Sequence, residues 1–310
     1  MARPLRIEFP GAFYHVTSRG NERRELFRSR ADRERFILYL ESAVARYGAV
    51  IHSYCLMTNH YHLFLETPHG NLSDFMRYVN GAYTTYFNTK RKRAGHLFQG
   101  RYKSIVVDAD EYAIELSRYI HLNPVRAGMV AKPEDHEWSS YRLFAGISHT
   151  PGWLKTEFIL AQFGTRDPQR QYRAFVEDLL GAEFESPMQG VIASTLLGTP
   201  EFVAQISEKH VDGRKADRSV PAVRALSCSV SVEDIARTVE EIVPGQASLA
   251  KKLTIYICHR YGGGSLKAIG ERFGIGDSAV SLASKRFGIQ AETNDEIMKV
   301  LERVLKKLNL

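Results

Sequence analysis

Apolar and polar positions alternate loosely from Gly11 to Arg19, through Phe13-Tyr14-His15-Val16-Thr17. This predicts a first strand that ends in the turn-like Arg19-Gly20-Asn21. The period then changes. Phe36, Leu40 and Val44 recur every four residues, which predicts a helix capped by Ser29 or Asp32 and finished near Gly48. Val50 to Leu56 reads as a strand that turns through Met57-Thr58-Asn59. The next strand runs from His60 to Thr67, rich in Tyr, Leu and Phe without a helical period, and Pro68 ends it. Asn71 or Ser73 opens a second helix whose buried stripe is Leu72, Phe75, Met76, Val79 and Tyr83. Arg101 to Val107 is a further strand. Asp108 or Asp110 caps a third helix that Pro124 stops at about Asn123. Strand, helix, strand, strand, helix, strand, helix is the order expected of a ferredoxin-like α+β layer with an antiparallel sheet.

Beyond residue 146 the pattern is helical. Asp167 to Leu180 and Glu201 to Lys209 read as helices, and the polar stretch Val211 to Val220 reads as a linker. Near the end, Ser265 to Phe273 is a short amphipathic helix and Gly274-Ile275-Gly276 a turn. Asp277, as N-cap, opens a helix to Phe287, and Ser248 to Tyr261 supplies the helix before the pair. The pattern is a helix-turn-helix, whose second helix fits a DNA major groove. The expected division is 1–146, a helical connector over 147–230, and a helix-turn-helix domain over 231–310.

Charge narrows the class of partner. Residues 1–146 hold 21 Lys and Arg against 15 Asp and Glu, a balance of +6. The rest hold 21 against 20, leaving +1 of the total +7. A polyanionic partner therefore belongs with the N-terminal half. Cys55, Cys228 and Cys258 have neither zinc spacing nor a paired pattern, which fits a reducing cytoplasm. Residues 1–20 carry no apolar core of a signal peptide, and no run of roughly eighteen apolar residues predicts a membrane span.

Side chains two apart on a strand leave the same face, so His60 and His62 point the same way, a sound geometry for two imidazoles on one ion. A bare His-x-His is more often a pair of partly buried strand histidines, because metal sites need more ligands. On the third helix Tyr112, Leu116 and Ile120 form an apolar stripe. Glu115, Tyr119 and Asn123 form its neighbour, rotated by about 100°, which puts Tyr119 at the border of the buried face.

Three segments change the odds. Met57-Thr58-Asn59-His60-Tyr61-His62-Leu63, then Gly95-His96-Leu97-Phe98-Gln99-Gly100-Arg101-Tyr102-Lys103-Ser104, then Tyr119-Ile120-His121-Leu122-Asn123-Pro124-Val125-Arg126-Ala127-Gly128 stand in this order. Together they resemble the HUH-type single-tyrosine transposases, in particular the REP-associated tyrosine transposase branch. The resemblance covers roughly residues 5–145, and Thr58 stands where the family often has proline. It implies an HUH endonuclease fold in which His60 and His62 bind a divalent metal, Mg²⁺ or Mn²⁺. It also implies that Asn123 is the third ligand and that Tyr119 attacks single-stranded or hairpin DNA. The products implied are a 5′-phosphotyrosine link and a free 3′-hydroxyl. The chemistry is consistent: a metal acts as Lewis acid and template for phosphoryl transfer, and tyrosine is an accepted covalent nucleophile that needs activation.

Lys90, Arg91, Lys92, Arg93, Arg101 and Lys103 place six positive charges in fourteen residues without an acid. Beside His96, Phe98 and Tyr102 they predict phosphate contacts and base stacking. Arg19 and Asn21 of the Arg-Gly-Asn turn are further DNA contacts implied by the resemblance. The stretch 231–290 resembles the C-terminal DNA-binding domain of the bacterial replication initiator DnaA, with Gly276-Asp277-Ser278-Ala279 in place of that family's Arg-Asp-His-Thr. Ser278, Ser281 and Lys285 are its expected contacts to duplex DNA. A homodimer is compatible with all of this. A replication initiator or relaxase with the same site, and a non-catalytic DNA-binding regulator, are the rival readings. The single Tyr119 and the Asn-Pro-Val-Arg wording disfavour the first. The intact His60, His62, Tyr119 and Asn123 disfavour the second.

Overall fold

The computed structural model describes residues 6–182, 186–210, 231–261 and 266–308. The expected linker Val211–Val220, Cys228 and the helix start at Ser265 lie outside them. Contacts divide the chain into two compact units, Arg6–Phe202 and the residues from Val203 onward. The segment 147–202 therefore packs with the first unit.

The first unit follows the expected order: β1 Ala12–Arg19, α1 Arg30–Tyr47, β2 Val50–Leu56, β3 His60–Thr67, α2 Leu72–Lys90, β4 Lys103–Val107 and α3 Ala109–Arg126. Short helices α4 Tyr141–Phe144 and α5 Glu157–Leu160 lead to α6 Pro168–Glu177 and a two-residue strand β5 Leu196–Leu197, and α7 Pro200–His210 starts in this unit and runs past its boundary at Phe202. The sheet order is β2-β3-β1-β4-β5. The first four strands pair antiparallel, as the ferredoxin-like order requires, and β5 joins β4 in parallel. A strand of two residues carries no periodicity, so sequence patterning gave no sign of β5.

Local chemistry explains the ends of α1. Ser29 forms a full capping box with Asp32, and Gly48 closes the helix at φ 67°, a conformation that costs glycine least. Three details differ from expectation. The third helix runs through Pro124 to Arg126, because a proline in the last turn forfeits only one helical hydrogen bond. Asp108 holds the cap position of this helix as expected but makes no side-chain cap bond, and its carboxylate accepts from the backbone N–H and hydroxyl of Thr199. Asn71 stands at the start of α2 without capping it, and its amide donates to the Tyr47 carbonyl at 2.9 Å.

The two faces of the sheet bury different material. Tyr61 points toward α1 and α2, where its ring packs on Phe36 and its hydroxyl donates to Asn80. Phe27, Phe36, Tyr83 and Phe87 complete that layer. Each fully buried aromatic contributes about 1.5–3 kcal/mol of transfer free energy. The other face, with Cys55, Met57 and Phe64, packs on Leu116 and Ile120 of α3 and, behind it, Tyr141, Phe144, Tyr172 and Val176.

The second unit is helical: α8 Val232–Ile242, α9 Ala247–Arg260, α10 Leu266–Phe273, α11 Asp277–Glu292 and α12 Asp295–Lys307. Ile235, Val239, Leu253, Ile257, Ile269, Val280, Phe287, Leu301 and Val304 form its core. Residues 274–276 join α10 to α11, and Gly276 rather than Asp277 holds the cap position of α11. No helix among the described residues is long and apolar enough to cross a membrane.

Candidate functional site

Register brings the site together on the α3 side of the sheet. Arg19 pairs with His60 and Thr17 with His62 between β1 and β3, and His15 lies one diagonal step further along β1. The His60 and His62 ring centroids are 5.1 Å apart. The Tyr119 ring stands edge-on over His62, at 5.9 Å, and over His15, at 6.1 Å. His62 and His15 are buried, whereas Tyr119 and His60 are half-buried.

Each imidazole of the pair is held through one nitrogen. The Asn59 amide donates to the Arg23 carbonyl, which leaves its oxygen to accept from Nδ1–H of His60 at 2.7 Å. The His60 lone pair is therefore on Nε2. Nδ1 of His62 lies 3.0 Å from Nε2 of His15, while Nε2 of His62 is buried without a hydrogen-bond partner. Anchoring one ring nitrogen while the other stays free is the arrangement that orients histidine ligands.

The electrostatics keep these rings neutral. Burial and then the nearby Arg19 charge lower His60 to about 4, and burial alone lowers His15 to about 4. His62 is pushed well down by burial, with His15, His60 and Arg19 adding to the effect. Neutral imidazole is the form that ligates a metal. Among the described residues no group of three or more His, Cys, Asp or Glu side chains is arranged to hold an ion. The two free Nε2 atoms thus fit a shell completed by oxygen donors from other sources. Asn123, expected as a third ligand, donates its amide to the Tyr119 carbonyl at 2.8 Å, which leaves its side-chain oxygen as the remaining donor atom.

The expected DNA contacts divide. Arg19, Arg101, Lys103 and Lys92 are exposed, and Asn21 is half-buried with its N–H on the Leu97 carbonyl. Gly20 has no room for a Cβ against the Arg24 carbonyl, which explains the glycine in that turn. Lys90 and Arg91 are engaged elsewhere. Both bind the fully buried Asp32 carboxylate, Lys90 at 3.0 Å. Burial would raise Asp32, but hydrogen bonds from Lys90, Arg91 and the Arg28 N–H outweigh it and hold the group at about 2. Arg93 donates to the His96 carbonyl. Phe98 and Tyr102 are buried, so they offer no open face for base stacking, contrary to expectation. The strand that follows begins at Lys103, not Arg101.

Sequence patterning missed His15, Asn59 and Arg126. The guanidinium carbon of Arg126 lies 5.4 Å from the centre of the Tyr119 ring. The turn asparagine beside His60 was a readable signal, whereas His15 sits 47 residues from His62 and nothing local marks it. In the second unit Ser278 and Lys285 are exposed and Ser281 half-buried.

No curated protein matches the sequence. The chain is similar to a solved REP-associated tyrosine transposase bound to a REP hairpin, at 16% identity and TM-score 0.42, covering 50% of this chain and 92% of that one. The family model described as Transposase IS200 like matches residues 9–123, rather more than a third of the chain. That stretch contains β1, the histidine strand and the tyrosine helix as far as Asn123. Over residues 9–123, the chain is similar to the IS200-like transposase family.

Proposed function

We propose that the first unit nicks and transfers single-stranded or hairpin DNA through a covalent link to Tyr119, with His60 and His62 holding a divalent ion. The observation that carries this is the pair of neutral imidazoles, each with Nδ1 engaged and Nε2 free, with the Tyr119 ring edge-on to His62. A bound Mg²⁺ or Mn²⁺ would supply Lewis-acid stabilisation of the charge that builds on the non-bridging phosphate oxygens. Asn123, through its side-chain oxygen, is the third protein donor in this reading. Imidazole suits Mn²⁺ better than Mg²⁺.

The covalent step follows from the residues present. Tyr119 Oη bonds to phosphorus, its proton passes to water, and the bond between phosphorus and the 3′ oxygen breaks. The departing oxygen takes a proton and becomes a 3′-hydroxyl. The reverse attack by another 3′-hydroxyl reseals a strand without ATP, because the phosphotyrosine ester retains the bond energy. Arg19 beside His60 binds a phosphate next to the scissile one, with Lys92, Arg101 and Lys103 as further cations for the backbone. Residues 1–146 form the catalytic region of this reading and 231–310 a duplex-binding region that uses Ser278, Ser281 and Lys285. The residues between, 147–230, connect them.

A denaturing gel of end-labelled hairpin oligonucleotides after incubation with Mn²⁺ tests the reading. Wild type gives a covalent adduct. Tyr119→Phe binds the hairpins and gives none at any Mn²⁺ concentration. His60→Ala also gives none at low Mn²⁺ but regains part of it when the ion is raised. An adduct persisting in Tyr119→Phe would move the nucleophile elsewhere, with Tyr112 or Tyr102 next in line.

A further inference from the structure

The back of the tyrosine helix is gripped by a chain of hydrogen bonds that starts in the sheet and passes through α6. Ser140 Oγ accepts from the Tyr54 N–H of β2 at 2.9 Å and lies 2.7 Å from His121 Nε2. His121 Nδ1 is 2.6 Å from the Tyr172 hydroxyl, which lies 3.0 Å from Ser117 Oγ. Ser117 donates to the Ile114 carbonyl at 2.7 Å. Ser117 Oγ lies closer to its carbonyl, that of Ile114 at 2.7 Å, than Ser140 Oγ does to that of Tyr54 at 3.3 Å, and this sets the directions. Ser117 gives its proton to Ile114 and so accepts from Tyr172. Tyr172 therefore accepts from His121 Nδ1–H, and His121 Nε2 accepts from Ser140. A neutral imidazole has one donor and one acceptor, as this path requires. Burial keeps His121 neutral, at about 3, and holds the Tyr172 phenol protonated. His121, Tyr172, Ser117 and Ser140 are all fully buried.

The grip is placed around one residue. Ser117 and His121 stand two positions either side of Tyr119, about 160° round the helix from it. Between them, Arg118 stacks its guanidinium 3.9 Å from the centre of the Phe175 ring and donates to the Phe175 carbonyl. Two residues of α6 thus hold the three positions that fix how α3 is rotated about its axis. A small rotation would move the Tyr119 ring, on the far side, off His62 and His15, which it faces at 5.9 and 6.1 Å.

We infer that Tyr172 and His121 are positioning residues for strand transfer: they set the rotation of α3 and so aim Tyr119. The inference rests on the proposed role of Tyr119. It gives the segment beyond residue 146 a part in the reaction, although the family match ends at 123. A displacement of about 1 Å at a reacting group costs up to about 100-fold in rate.

The test is the single-turnover rate of adduct formation on the end-labelled hairpin panel with saturating Mn²⁺. It is run on the full-length chain beside hairpin affinity, Mn²⁺ affinity and melting temperature. Tyr172→Phe removes one oxygen from the path. Ser117→Ala breaks the same link from the helix side while favouring helix, which keeps the test available if Tyr172→Phe fails to fold. Both variants are expected to slow the adduct step about tenfold or more at saturating DNA, with hairpin and Mn²⁺ affinity within about twofold of wild type. Wild-type rates in the folded variants would overturn the inference. So would a loss that only follows the fraction unfolded or the loss of hairpin binding. Tyr119→Phe run alongside separates the two readings. If it keeps the adduct, the proposed function has failed. If it alone loses the adduct while the variants of the grip stay fast, only this inference has.

Discussion

Nε2 of His15 lies 3.0 Å from Nδ1 of His62, with the two rings within 10° of parallel on neighbouring strands. They are diagonal partners, since His15 pairs directly with Phe64 and His62 with Thr17. When His62 donates from Nδ1–H, its Nε2 lone pair is fixed toward the site, and the ring cannot turn without breaking this bond.

His15→Ala should therefore weaken Mn²⁺ binding about 10- to 100-fold, the usual cost of removing the partner of a ligand histidine. His15→Gln, whose amide oxygen accepts the same proton, should retain more of it. Electron paramagnetic resonance of Mn²⁺ titrations without DNA reads this directly. Unchanged affinity in His15→Ala would leave His15 as packing alone.

The basic run should split into two halves. Replacing Lys92, Arg101 and Lys103 with Ala should flatten the salt dependence of single-strand binding, by about 0.7 in log–log slope for each phosphate no longer neutralised. Arg91→Ala should leave that slope in place and destabilise the first unit by about 2 kcal/mol, because Asp32 stays buried with its charge poorly compensated. The opposite pattern in binding curves and urea melts would show Arg91 to be the DNA contact.

His52 predicts the acid limit of the fold. It is buried at a register shift in β2, against Phe13 and Phe158, with Nδ1 3.2 Å from the Lys155 carbonyl. Burial lowers it to about 4, against the opposing pull of the Lys155 carbonyl and Glu157. An unfolded histidine titrates near ~6.5, so between these values the unfolded chain binds more protons. Its contribution is fully present above pH ~6.5 and is lost as pH falls toward 4, on the order of 3 kcal/mol in all. His52→Gln should lose less stability than wild type between pH 7 and pH 4.5 in urea melts. Equal losses would place the acid sensitivity at other histidines.

In the second unit, Lys285 and Arg260 share the lining of a cavity of about 460 Å³ with Tyr256, His259, Ser281 and Ser284. Lys285→Ala should weaken binding to mixed-sequence duplex DNA and reduce its salt slope by about 0.9, the value for a single phosphate. A slope equal to wild type in fluorescence anisotropy would remove Lys285 from the interface.

By itself the sequence determined the elements and much of the site. Strand and helix periods over residues 11–126 gave the ferredoxin-like layer, because each element buries one face against the sheet and so repeats its apolar residues at a fixed spacing. The same-face spacing of His60 and His62 and the border position of Tyr119 follow from that geometry alone. The tertiary structure decided the partners. His15 reaches His62 only through strand register, and Tyr172 reaches His121 from 51 residues away through the packing of α6 on α3. It also decided which cations are free: Lys90 and Arg91 read like their neighbours along the chain, yet fold onto a buried carboxylate 58 and 59 residues earlier. Hydrogen bonds and ion pairs between distant segments depend on where side chains meet in space, and no local period records that.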